Sequence, residues 1–211
     1  MGGFPGEPLW NHLLELAGGR RVLVDHAAFP ELTGLPAELP GDFTHLSFYP
    51  SPPENLRELA LSSDAILVCG GNTANMLAVW RVHGFDTILR EAWEAGVLLT
   101  GWSAGMICWF EAGVTDSFGP QLEGMRDGLG FLPGSACPHY DGEERRRPAY
   151  RRLVAQGFPP GIALEDLVAA HSVGTELAEV VAAKPGGRAY RVAPSLETPL
   201  PARELAPAQV A

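Results

Sequence analysis

Lysine is almost absent from this 211-residue chain: Lys184 stands alone, and with the arginines it makes 15 basic residues against 25 acidic ones, a formal charge of −10. Such a balance repels phosphate backbones and anionic lipid head groups, so neither nucleic acid nor a membrane surface is an expected partner. It also excludes a Walker phosphate loop, which needs Gly-Lys-Ser/Thr, because Lys184 is followed by Pro185. Cysteine is scarce too. The three thiols, Cys69, Cys108 and Cys137, form no C-x-x-C pair, which argues against a disulfide framework and a metal site and fits a reducing cytoplasm. Long apolar runs are missing, and the opening MGGFPGEPLWNHLL has no basic stretch ahead of an apolar one, so neither a membrane span nor an export signal is expected. What is present is 46% hydrophobic residues with 25 Gly and 19 Pro, the composition of one globular domain over residues 1–211.

Short runs rich in Val, Ile, Leu and Thr recur at residues 21–25, 43–49, 65–70 and 97–102, each followed by turn residues, and read as buried strands. Stretches of helical period lie between them at 53–61, 73–82 and 85–95. Strand alternating with helix predicts parallel pairing through right-handed crossovers. The second half is less regular. Residues 128–132 and 162–164 read as strands and 143–155 as a helix. Residues 177–183 and 188–192 read as a hairpin around Pro185-Gly186-Gly187, and 193–211, with four prolines, as a flexible tail.

The most informative segment is Leu98-Leu99-Thr100-Gly101-Trp102-Ser103-Ala104-Gly105, an apolar strand that ends in G-x-S-x-G and runs into a helical stretch. This is the pattern of a nucleophile elbow, where an abrupt strand-to-helix turn lifts the central hydroxyl above the sheet and small residues let the chains pass. Ala104 would then offer a backbone N–H at a helix N-terminus to a developing oxyanion. A second glycine turn, Cys69-Gly70-Gly71-Asn72-Thr73, also joins a strand to a helix, and the N–H of Gly71 or Asn72 is the expected second donor.

A serine hydroxyl needs a base and the base needs a carboxylate to orient it. Of six histidines, His139 lies in the loop Pro138-His139-Tyr140-Asp141 after a short strand and turn, and His171 is its rival. The carboxylate is expected from Glu165-Asp166, after the apolar Ile162-Ala163-Leu164, and alternation lets only one of the two face the site.

In order along the chain, strand-GGNT-helix, strand-GWSAG-helix, a PHYD loop and an IALED segment resemble the S51 serine peptidases, the group of dipeptidase E (aspartyl dipeptidase) and cyanophycinase. The resemblance implies an α/β fold of three layers, flavodoxin-like and akin to class I glutamine amidotransferases, with a mostly parallel sheet and helices on both faces. It implies hydrolysis after an N-terminal aspartate without a metal or other cofactor, with Ser103 as nucleophile, His139 as base and Asp166 as acid, Glu165 being the alternate. Family members usually carry Glu as the acid, and they begin with a hydrophobic strand ahead of a glycine turn, whereas this sequence opens at Met1-Gly2-Gly3. An uncovered sheet edge, favouring homo-oligomers, is the expectation from that difference. By the same resemblance Arg145 or Arg146, in a run of three arginines, binds the aspartyl carboxylate of a small peptide substrate. The other readings are a β-aspartyl or cyanophycinase-like acyl hydrolase and a non-catalytic module of the same fold that senses an acidic metabolite.

Overall fold

A computed structural model describes residues 1–2, 7–29 and 40–206. Gly3 of the opening turn and residues 207–211 of the expected tail lie outside them. In chain order the elements are α1 (Glu7–Ala17), β1 (Arg21–Asp25), β2 (Asp42–Leu46), α2 (Leu56–Ser62), β3 (Ala65–Val68), α3 (Thr73–His83), α4 (Phe85–Glu94) and β4 (Leu98–Gly101). The chain continues through α5 (Ala104–Ile107), β5 (Phe110–Thr115), β6 (Glu123–Met125), β7 (Leu132–Cys137), α6 (Arg146–Ala155) and β8 (Gly161–Leu164). It closes with β9 (Val168–Val173), β10 (Glu176–Ala182), β11 (Ala189–Ala193), β12 (Leu196–Leu200) and β13 (Arg203–Glu204).

The first half is a parallel sheet in the order β2-β1-β3-β4. Its layering follows from the two-residue alternation of a strand. Leu23, Ile66 and Val68 pack with Met76, Leu77, Trp80, Phe85 and Leu89 from α3 and α4 on one face. Val22, Val24, Ala65 and Leu67 meet Trp10 and Leu13 of α1 on the other. Both faces of β3 are therefore covered, which is why AILV is apolar without interruption. The fold is α/β, with helices on both faces of a mostly parallel arrangement, as the sequence leads one to expect.

The second half is a six-stranded mixed sheet, β12-β11-β8-β7-β5-β6, in which β5, β7 and β8 run parallel. Tyr150 and Val154 of α6 cover one face against Val114, Cys137 and Tyr190. A three-stranded sheet, β13-β10-β9, packs Val168, Val180 and Ala182 against Met106, Ala136 and Leu164 on the other. The halves meet at α5, which packs against β3, β4, β5 and β7. Met1 and Gly2 bridge them too: the Met1 amine donates to the Gly101 carbonyl (2.9 Å), and the Gly2 N–H donates to the Val168 carbonyl (3.1 Å).

Three local expectations are corrected. The strand expected at 128–132 is instead β7, since Gly128 and Leu129 donate to Glu111 and Cys108 carbonyls in a turn. The strands expected to form a hairpin part company. β10 pairs with β9, β11 pairs with β8 and β12, and the Pro185-Gly186-Gly187 turn carries the chain from one sheet to another. Much of the expected flexible tail is strand, because β12 pairs with β11 and β13 pairs with β10.

Candidate active site

Ser103 stands between β4 and α5 with φ 55° and ψ −113°, a strained conformation for a non-glycine residue. The flanking glycines make the turn possible. A Cβ on Gly101 would lie 2.4 Å from the Val68 carbonyl oxygen, and one on Gly105 would lie 2.1 Å from the same atom. The tight turn seats α5 directly on β3. α5 is a single turn of four residues, so its dipole is small and the electrostatics at Ser103 rest on individual N–H groups. Among the described residues the Ala104 N–H has no acceptor.

The Gly71 N–H likewise has no acceptor among the described residues. Asn72 behaves otherwise. Its N–H donates to the Ala28 carbonyl at 2.8 Å, its Oδ1 caps α3 by accepting from the Asn75 N–H at 2.9 Å, and its Nδ2 donates to the Ser117 carbonyl at 3.0 Å. The expectation that Asn72 serves as an oxyanion donor is corrected on that ground, since its donor is already used in fixing the turn. Gly70 abuts the serine: a Cβ there would sit 3.2 Å from Ser103 Cβ.

His139 follows β7, where Pro138 ends the strand, and its own φ is 55°. Its Nδ1 lies 2.7 Å from Asp166 Oδ1. The carboxylate thereby fixes Nδ1 as the protonated nitrogen and leaves Nε2 as the acceptor. No hydrogen bond joins Ser103 Oγ to His139 among the described residues. Leu167, next to Asp166, has φ 61°, so the described non-glycine residues at positive φ are Ser103, His139 and the neighbour of Asp166.

Glu165 points elsewhere, accepting from Tyr190 Oη and the Arg188 N–H, each at 3.0 Å. That removes it as alternate acid in this arrangement. His171 lies on β9 with its Nδ1 3.9 Å from Glu179 Oε1. The arginines divide. Arg146 is buried, holds Glu143 at 2.7 and 3.3 Å and donates to the Val114 carbonyl at 3.1 Å, so the expectation that it binds substrate is corrected. Arg145 is exposed, with one bond of 3.3 Å to the Pro120 carbonyl, and keeps most of its guanidinium available. A separate groove of about 420 Å³, walled by Leu98, Leu99, Ile162, Ala170 and Leu177, includes none of Ser103, His139 and Asp166.

Sequence reasoning overlooked a second cluster, partly buried, at the ends of β1 and β2. Asp25 accepts from the Ala27 N–H (3.0 Å) and Trp80 Nε1 (2.8 Å), yet burial raises its pKa to about 7. His26 Nε2 is 2.8 Å from His45 Nδ1, and burial with the neighbouring His45 lowers the His26 pKa. The signal available was an acid, Asp25, closing the apolar run Val22-Leu23-Val24. Among the described residues no helix is long and apolar enough to cross a membrane.

Comparison with known proteins agrees with this architecture. The profile of "Peptidase family S51" matches residues 33–180. Over 167 residues the chain is 47% identical to the uncharacterized peptidase YgaJ of Bacillus subtilis (strain 168), covering 77% of this chain and 72% of that one. It is 28% identical over 167 residues to Peptidase E of Shewanella denitrificans (strain OS217), covering 74% and 69% of the two chains. The crystal structure of a peptidase from an acI-B1 actinobacterium shares the fold, with a TM-score of 0.66 at 17% identity over 95% of this chain and 92% of that one. The match over most of the sequence makes the conclusion direct: the chain belongs to peptidase family S51.

Proposed function

We propose that the protein is a serine-type peptidase that hydrolyses short peptides, in particular dipeptides with N-terminal Asp, through an acyl-enzyme on Ser103. The observation that carries the reading is the 2.7 Å contact of His139 Nδ1 with Asp166, which leaves Nε2 as base in a site with a serine at a strained elbow. Ser103 Oγ attacks the carbonyl carbon of the scissile amide while its proton passes to His139 Nε2. The oxygen, now negative, is met by the N–H groups of Ala104 and Gly71. Collapse of the intermediate breaks the C–N bond, and the amine leaves with the proton held by His139. Water then gives a proton to the same nitrogen and its oxygen attacks the ester, releasing the acid and restoring the Ser103 hydroxyl.

Specificity for aspartate rests on Arg145, whose guanidinium matches a carboxylate with two parallel hydrogen bonds. In a chain of charge −10, an acidic substrate group needs such a local cation. The test pairs a fluorophosphonate probe with dipeptide kinetics. Labelling of the parent, its loss in Ser103→Ala, and faster cleavage of Asp-Leu than of Glu-Leu, Asn-Leu or Ala-Leu are the expected results. Near-normal turnover by Ser103→Ala overturns the serine mechanism, whereas equal kcat/KM on all four peptides removes only the aspartyl specificity.

A further inference from the structure

Resting on the hydrolase reading above, we infer that Lys184 is a positioning residue for His139, acting through Asp141 and Asp166. Two strand ends supply the parts. The loop after β7 and the segment after β8 are fastened by the Tyr140 N–H to the Leu164 carbonyl (3.0 Å) and by His139 Nδ1 to Asp166 Oδ1 (2.7 Å). A third fastening comes from the Asp166 N–H, which donates to Asp141 Oδ1 at 2.8 Å. The other Asp141 oxygen accepts from the Lys184 ammonium. Lys184 arrives from the turn after β10, so a third piece of chain holds the carboxylate that in turn holds Asp166.

The fit around Asp166 is close. A Cβ on Gly142 would fall 2.0 Å from Asp166 Oδ2, so the residue after Asp141 has no room for a side chain while the acid occupies this place. Burial works to raise the Asp141 pKa, but the hydrogen bonds from Lys184 and the Asp166 N–H outweigh it and the net direction is down. Lys184 also lies 3.6 Å from Glu165, with its side chain 28% exposed. Among the described residues the ion pairs that join or adjoin the His139–Asp166 pair involve Asp141, Glu165 and Lys184, with Glu143 and Arg146 further along the same loop. Glu143 is neutralised by Arg146, whereas Glu165, hydrogen-bonded by the neutral Tyr190 hydroxyl and Arg188 backbone N–H, keeps its charge and shares the Lys184 ammonium with Asp141. Among the described residues Lys184 is the cation paired with Asp141.

This arrangement gives substitutions of opposite sign. Lys184→Met leaves Asp141 as an unbalanced anion beside the pair, favours the imidazolium form, and moves the acid limb of the activity profile to higher pH. Asp141→Asn keeps an acceptor for the Asp166 N–H but removes one anion beside the pair while Lys184 stays on Glu165, and moves the limb to lower pH. Each displacement of the profile is expected to be about half a pH unit to one unit, the size of the effect of one partly solvated charge. Lys184→Arg retains the charge and the parent profile.

The measurement is the rate at which a fluorophosphonate inactivates each variant from pH 5 to 9, with circular dichroism and Tm to confirm folding. Opposite shifts for Lys184→Met and Asp141→Asn, with Lys184→Arg like the parent, support the inference. Superimposable profiles in folded variants, with Tm alone changed, overturn it and leave Lys184 a structural residue. If Lys184→Met does not fold, Asp141→Asn decides by the direction of its shift, and an unshifted limb there is equally fatal. A parent inactivated equally fast after Ser103→Ala overturns the hydrolase reading itself, and this inference with it.

Discussion

Gly105 Cα lies so close to Val68 that a methyl group on it would be 2.1 Å from the Val68 carbonyl oxygen. Backbone cannot yield there as a flexible side chain would. We predict that Gly105→Ala separates α5 from β3 and destabilises the protein by more than about 3 kcal/mol, the range of overpacking plus backbone strain. Urea unfolding of the variant measures it, and a loss under 1 kcal/mol would show that the turn relaxes.

Adjacent acids are predicted to behave differently. Asp166 touches His139, so Asp166→Asn leaves the imidazole in the wrong tautomer and lowers kcat by about 10³ to 10⁴. Glu165 holds Tyr190 and Arg188 instead. Glu165→Gln therefore changes kcat by about threefold or less and lowers stability by roughly 1 kcal/mol. Kinetics and Tm on the two variants separate the roles, and equal kinetic losses would contradict the assignment.

A similar division applies to the arginines. Arg146→Ala removes a buried guanidinium that joins Glu143 to the Val114 carbonyl, and is expected to cost about 1–3 kcal/mol of stability without altering the ranking of dipeptides. Arg145→Ala is expected to leave Tm within about 1 °C while lowering kcat/KM for Asp-Leu by 10-fold or more and sparing Ala-Leu. Loss of the aspartyl preference in Arg146→Ala alone would reverse the assignment.

Asp25 makes a pH-dependent contribution to stability. In the folded protein its pKa is about 7, pushed up by burial, against about 3.9 in an unfolded chain. Between these values the folded state binds the extra proton. The contribution is therefore complete below about pH 4 and declines as pH rises through 7, by up to about 1.4 kcal/mol per unit. Asp25→Asn is predicted to flatten this slope, at a constant cost of about 1–3 kcal/mol from turning an amide N–H₂ toward the Trp80 or Ala27 donor. Unfolding free energies of both proteins from pH 4.5 to 8 give the difference, and parallel curves would refute it.

Features set by neighbours along the chain were legible in the sequence. GWSAG specifies its own turn, because the glycines that must admit Val68 lie two residues either side of Ser103, and β1, β3 and β4 are apolar runs bounded by turn residues. Features set by distant contacts were not. Nothing near Glu165-Asp166 says which acid meets His139, since that depends on Asp141 taking the Asp166 N–H and on Tyr190 taking Glu165. Arg146 and Arg145 look alike until one meets the Val114 carbonyl. The supposed hairpin at Pro185-Gly186-Gly187 has a sound turn, but which strand pairs with which is decided by β8 and β9 from earlier in the chain.

The three thiols have a use apart from chemistry at the site. All are buried, with Cys69 and Cys137 pushed up to about 12 and Cys108 well above its usual value, so in the closed protein none presents a thiolate to an alkylating reagent. Each also borders one segment of the proposed site: Cys69 precedes the Gly70-Gly71 turn, Cys108 ends the helix that starts after Ser103, and Cys137 lies two residues before His139. Alkylation is then gated by local opening, and mass spectrometry of the three peptides over time reads how often each wall of the site breathes. Without any label being engineered, the chain carries a clock on each of the three segments that build the proposed site.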